Sequence, residues 1–243
     1  MFTLFQKEIN SFFSSLTGYV VIIVFLVTNS MFMWVFKGDL NLLDNGHANL
    51  DALFFLAPWI FLFLVPAITM RLFAEEKRSG TLELLLTQPI TEMQIVMAKY
   101  LAAVVLILFS LLPTLVYYFS VSKLGSPPGN LDTGGINGSY IGLFFLAAVY
   151  ASVGIFTSAI TDNQIVSFLL AVLVSFFLFT GFDLITSADL FGNLDTFLVR
   201  LGINEHYRSI SRGVIDTRDL IYFLSVISIF LLGTNIVLQS RKW

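Results

Sequence analysis

The chain has 243 residues, of which 57% are hydrophobic and 12% charged, with a net charge of −3. Soluble domains carry about a quarter charged residues, so this composition excludes an ordinary soluble enzyme and points to lipid. The absence of cysteine excludes disulfides and thiol catalysis, and no Lys/Arg-rich tract offers a nucleic-acid surface.

In chain order, residues 2–16 come first. Phe2, Phe5, Ile9, Phe12, Phe13 and Leu16 recur at helical spacing, with Lys7, Asn10 and Ser14 off that stripe. This predicts an amphipathic helix lying in the membrane interface. A simple extension of the first span is the other reading. Apolar runs follow over about 17–36, 52–70, 100–121, 141–160, 164–182 and 220–239. Each matches the ~20 residues a helix needs to cross a bilayer, and continuous apolar runs in lipid must be helices. The first run is too long for a cleaved signal peptide and reads as an uncleaved anchor. The expected architecture is one all-α integral membrane domain over 1–243, with six transmembrane helices and the N-terminal interfacial helix.

Six spans place both termini on one side. On that side fall Lys7, Arg71, Lys77, Arg78, Lys99, Arg241 and Lys242, against Lys37 and Lys123 in the short segments opposite. The positive-inside rule then puts both termini in the cytoplasm, at the cell (inner) membrane. Four arginines in the long 183–219 loop are left out of this count. The apolar patches of that loop, Leu190–Phe191 and Phe197–Leu201, are too short to span and suit re-entrant or interfacial helices on the outer face.

Pro58, Pro66 and Pro113 predict kinks within spans two and three. Lys123–Tyr140, rich in Gly, Pro, Asn and Ser, reads as a flexible connector. In the fourth span Ala147/Ala151, Ala148/Ser152 and Gly154/Ser158 stand four apart, letting helices approach closely within one chain or between two. Thr28, Asn29 and Ser30, with Ser110, Thr114 and Asn235, are the mid-span polar residues. They suit either a substrate path or helix–helix hydrogen bonds. No Asp, Glu, Lys or Arg is expected mid-span, which disfavours an ion-coupled carrier. His47 and His206 lie in loops far apart in sequence; His47, near Asp44 and Asp51, reads as an exposed loop residue, with a weak metal site as the other reading, and no metal is expected.

The loop Arg71–Lys99 carries most of the chemistry. Arg71 anchors the second span, and Glu75, Glu76, Lys77 and Arg78 prolong its helix into water. Gly80 permits a sharp turn. Thr81–Gln88 has room for about two helical turns before Pro89, with Leu82, Leu85 and Leu86 on one face. Thr91 and Gln94 form a capping box, with Ile90 and Ile95 as a hydrophobic staple, and the new helix leads into the third span. An apolar two-turn helix needs something to cover it. Lipid headgroups, the 2–16 helix and a protein partner all fit that requirement.

The run EEKRSGTLELLLTQPITEMQIVMAK resembles the signature of ABC-2 type transporter permeases through Glu75, Glu76, Lys77, Gly80, Thr81, Glu83, Leu85, Pro89 and Lys99. Ala98 departs from the glycine that many relatives carry. The late segment His206–Ser225, HYRSISRGVIDTRDLIYFLS, is similar to gliding-motility permease subunits of that family. The resemblance implies the ABC-2 permease fold and docking of a separate ABC ATP-binding subunit on the helix between spans two and three. The docking residues carried over are Glu75, Glu76, Gly80, Thr81, Glu83, Leu85 and Pro89. It also implies a second permease subunit, identical or related. No lysine here follows a glycine, so no Walker A loop exists, and ATP with its Mg would be bound by the partner. A membrane anchor in a motility or secretion machine is the rival reading, and a secondary carrier or channel the next.

Overall fold

The computed structural model describes residues 1–187 and 198–240. Leu190, Phe191 and Phe197 of the expected loop helices lie outside the described residues, as do the C-terminal Arg241 and Lys242. Among the described residues the chain is helical without strands, and six helices are long and apolar enough to cross a membrane.

Helix α1 (Phe2–Ser14) ends at Ser15, whose backbone is extended (φ −97°, ψ 149°). It is therefore a separate element from α2 (Leu16–Ser30), which finishes in a π-turn over Met31–Val35. The turn is tight: a Cβ on Gly18 would stand 2.5 Å from Phe12 O. The inward face of α1 differs from the predicted stripe. Leu4, Glu8 and Phe12 are buried, whereas Phe2 and Leu16 are 73% and 79% exposed. The stripe holds for Phe5, Ile9 and Phe13, which pack partly against the core.

After the short α3 (Leu42–Asn45), α4 (Asp51–Thr69) contains both Pro58 and Pro66 without interruption. Phe25 of α2 stacks on Phe61 of α4 at 4.4 Å. Past Met70 the chain resumes as α5 (Arg71–Arg78), then α6 (Thr81–Leu86), then α7 (Glu92–Leu111). Pro113 sits in a 3₁₀ turn, Leu112–Thr114, and α8 (Leu115–Leu124) completes the third span.

The central helix is α9 (Thr133–Ile160), packed against α4, α7, α10 (Gln164–Phe176), α12 (Ile203–Ser211) and α13 (Thr217–Gln239). It begins within the expected connector, so residues 133–140 are helix and not loop. Asp132 caps this start by accepting from the Gly135 N–H at 3.0 Å. Gly138 of that stretch, and Gly142 just beyond it, serve close packing. A Cβ on Gly138 would meet Ile210 O at 2.3 Å, and one on Gly142 would meet the Tyr207 ring at 3.1 Å. At the other end of α9, a Cβ on Gly154 would lie 1.9 Å from Thr69 Oγ1. The Gly154/Ser158 pair thus packs within the chain, against α4 and α5.

Span five continues from α10 through a π-turn at Phe177–Gly181 into α11 (Phe182–Ser187). Helix α12 is short and amphipathic. It lies against the first turns of α9, at the end of the bundle opposite α5 and α6. His206 ties it to α13: Nδ1 is 2.7 Å from Asp219 Oδ1, Nε2 is 2.9 Å from Arg200 O, and the ring stacks on Tyr222 at 3.8 Å.

Candidate functional site

The segment between spans two and three is built of two levers and a bridge. The first lever, α5, is held at its root by Ser158. That hydroxyl accepts from Phe73 N–H and Ala74 N–H, both at 3.0 Å, and donates to Met70 O at 2.8 Å. The α4–α5 junction is thereby closed by a side chain of α9, and the Lys77 ammonium donates to Ala159 O on the same helix. The second lever, α7, starts at the capping box. Thr91 Oγ1 accepts from Gln94 N–H and Gln94 Oε1 accepts from Thr91 N–H, each at 3.3 Å.

The bridge is α6. Gly80 adopts φ +71°, a left-handed conformation that costs glycine little. Hydroxyls of Ser79 and Thr81 lie 2.8 Å apart across this turn, and Ser79 donates to Glu75 O at 2.9 Å. The helix ends at Leu86, two residues short of the predicted Gln88. Leu82 is buried, Leu85 and Leu86 are half-buried, and Leu84 is 67% exposed. Glu83 and Thr81 are exposed on this short helix, as are Glu75 of α5 and Pro89 beyond its end.

Between α1, α5 and α6 lies a cleft of ≈ 550 Å³. Glu75, Glu76, Thr81 and Leu85 meet in its wall, with Leu84 and Gln88 beside them and Lys7 and Glu8 contributed by α1. Gly80, Glu83 and Pro89 are outside this lining.

At the base of the cleft sits an ion cluster that pattern reading missed. Lys99 lies two turns inside α7 and is 1% exposed. Its Nζ is 2.8 Å from Glu76 Oε1 and 3.0 Å from Glu8 Oε1, and lies 5.2 Å from the Phe73 ring centroid. Lys7 adds a second cation at the rim, 3.8 Å from Glu8 and 3.9 Å from Glu76. Arg71 closes the far side, its guanidinium 5.2 Å from the Phe12 ring centroid and 3.2 Å from Ser15 Oγ. A buried ammonium is tolerated only with partners of this kind. Glu76 Oε2 is enclosed and has no hydrogen-bond partner among the described residues. Glu76 therefore faces both ways: one oxygen holds Lys99, and the residue lines the cleft. The available signal for Glu8 was a carboxylate spaced four from both Leu4 and Phe12. For Lys99 it was a position seven residues inside a capped helix.

The mid-span polar residues do not form one cluster. Asn29 is fully buried and donates to Phe25 O at 2.8 Å. Ser30 Oγ lies 2.6 Å from Tyr117 OH, joining α2 to α8. Ser110 donates to Ile107 O, and Thr114 donates to Leu111 O while meeting Tyr140 OH at 3.1 Å. Thr28 and Asn235 are half-buried in α2 and α13. The geometry of Ser30 and Thr114 is that of helix–helix hydrogen bonding.

A family model described as an ABC-2 family transporter protein matches residues 3–238, nearly the whole chain. A search of curated proteins matched none.

Proposed function

The chain belongs to the ABC-2 transporter family, and from that premise we propose that it is the permease subunit of an ATP-driven exporter. Its energy comes from a separate ATP-binding subunit, which carries ATP and Mg. Two six-span subunits, identical or related, form the pathway in the inner membrane, with termini, α1 and α6 in the cytoplasm. The similarity of His206–Ser225 to gliding-motility permeases supports a motility role for the assembly.

The observation that carries this reading is α6 itself. A two-turn helix is fixed between Gly80 and the Thr91 cap, presents Leu84 and Glu83 outward, and is continuous through α5 and α7 with two membrane spans. A partner pushing on α6 moves two spans at once. ATP can drive that motion only if the partner's affinity for this face differs between its nucleotide states. Glu75, Thr81, Glu83 and Leu85 supply the contact face, Gly80 and Pro89 set its limits, and Glu76 relays displacement to Lys99. Of the polar residues within the spans, Thr28, Asn29, Ser110 and Asn235 mark the candidate route for substrate, whereas Ser30 and Thr114 join helices.

The test is affinity purification of the tagged chain from its native membrane, with and without ATP. Recovery of a Walker-motif ATPase whose hydrolysis is altered by this subunit supports the reading. A chain that brings down no ATPase under either condition contradicts it and favours the anchor role.

A further inference from the structure

At the end of the bundle opposite α6, a second cleft of ≈ 470 Å³ opens between α4, α11 and α12. Its wall is preformed by two hydrogen bonds. Tyr207 of α12 donates to Phe54 O of α4 at 2.8 Å, and Asn204 Nδ2 donates to Asp183 Oδ2 of α11 at 2.6 Å. Burial pushes the Tyr207 hydroxyl above its ordinary range, so it remains a neutral donor. Three elements are thereby pinned around one space of ligand size.

The lining is mixed in character. Asp51, Asp183 and Arg208 supply its charged groups, and Phe55, Trp59 and Leu184 its apolar trough. Phe55 and Leu184 are 61% and 58% exposed. From Asp51 to Trp59 the helix descends about 12 Å at 1.5 Å per residue. That carries the trough from the headgroup layer, which adds only about 5–7 Å on each side of the hydrocarbon, into the upper acyl region. A tryptophan at this level is typical of the interface.

We propose that this cleft is a headgroup-selective site for a zwitterionic phospholipid: Arg208 takes the phosphate, Asp51 and Asp183 take the ammonium, and one acyl chain lies along Phe55, Trp59 and Leu184. The cleft offers both signs of charge within one lining, which matches a phosphate joined to an amine. It disfavours an anionic headgroup without an amine, because the two carboxylates then lack a partner. The free oxygen of each carboxylate remains available, since Asp183 Oδ2 is held by Asn204 and Asp51 Oδ2 by Asn49 at 2.7 Å. The site requires only that the chain be embedded in lipid, and so stands independently of any ATP-binding partner.

The experiment is lipid titration of the full-length, delipidated protein. It uses phosphatidylethanolamine and phosphatidylglycerol of identical acyl composition, read by native mass spectrometry. Wild type should retain phosphatidylethanolamine about tenfold better, one charge-assisted hydrogen bond's worth of discrimination. Asp51→Asn combined with Asp183→Asn should erase that preference. Arg208→Gln should weaken both lipids about tenfold, and Arg208→Lys should restore most of the loss. Should the double variant fail to fold, Asp51→Asn alone, at an exposed position, should reduce the preference at least severalfold. Equal retention of the two lipids by wild type would mean annular lipid only and would overturn the proposal. A preference that survives Asp51→Asn would do the same.

Discussion

Lys99 of α7 and Glu8 of α1 meet at 3.0 Å across 91 residues of sequence, and Glu76 of α5 joins the same ammonium at 2.8 Å. One buried cation thereby ties three helices together, beside the Lys7–Glu76 and Arg71–Phe12 contacts between α1 and α5. Lys99→Met leaves two carboxylates facing each other without it. Breaking a buried ion cluster from one side costs about 3–5 kcal/mol, so the unfolding midpoint in detergent should fall clearly. Adding Glu8→Gln and Glu76→Gln to that variant removes the repulsion and should recover much of the loss. Lys7→Ala removes a 64%-exposed cation, and such surface pairs are worth at most about 1 kcal/mol. A Lys99→Met protein as stable as wild type would show that the cluster does not hold α1 in place.

The α4–α9 crossing offers a second test. Gly154→Ala places a methyl 1.9 Å from Thr69 Oγ1, and overpacking of this kind costs about 1–3 kcal/mol. Thr69→Ala should rescue it in part, because the new methyl would still lie 2.9 Å from Thr69 Cβ. Ser158→Ala should cost about 1–3 kcal/mol by leaving the Phe73 and Ala74 amides without their acceptor. Thermal melts of the three variants decide this. Stability equal to wild type in both Gly154→Ala and Ser158→Ala would mean the helices separate more easily than this packing implies.

Much of this fold was legible in the chain because lipid imposes one rule, that backbone polar groups be satisfied within each span. Gly80, Pro89 and the Thr91–Gln94 box are local signals, and they mark the ends of α6 and the start of α7. What was not legible depends on partners distant in sequence. Glu8 sat unnoticed beside an aromatic stripe because its counter-ion is Lys99. The glycines at 134, 135 and 138 suggested flexibility because their neighbours, Ile210 and Gly213, come some 75 residues later. Lys99 stood in the helix expected from the Thr91 cap, but nothing local showed that its ammonium meets Glu8 and Glu76, 91 and 23 residues away.

Orientation is open to a direct check. Single cysteines at Ser79 and Ser126 place a thiol at each end of the bundle, in a chain with no other cysteine. With α6 in the cytoplasm, the residue-126 thiol should react with a membrane-impermeant maleimide in intact cells. The residue-79 thiol should react only after permeabilisation. Labelling at 79 from outside would invert the topology and remove α6 from reach of any ATP-binding subunit.

The central claim is that α6 receives the ATP-binding partner. Glu83 is exposed there, outside the ion cluster, and a carboxylate engaged by a basic partner residue gains about 1.5–3 kcal/mol per charge-assisted hydrogen bond. Truncating or reversing such a desolvated contact typically costs ~2–5 kcal/mol of binding. The decisive measurement is quantitative co-purification of the ATP-binding subunit with Glu83→Arg, set against Glu205→Arg at an exposed position on α12 at the opposite end. The account predicts that Glu83→Arg inserts at normal levels but retains less than about a tenth of the partner, with Glu205→Arg unchanged. Full retention of the partner and of coupled ATP hydrolysis in Glu83→Arg would contradict it and leave α6 as an element of the membrane surface.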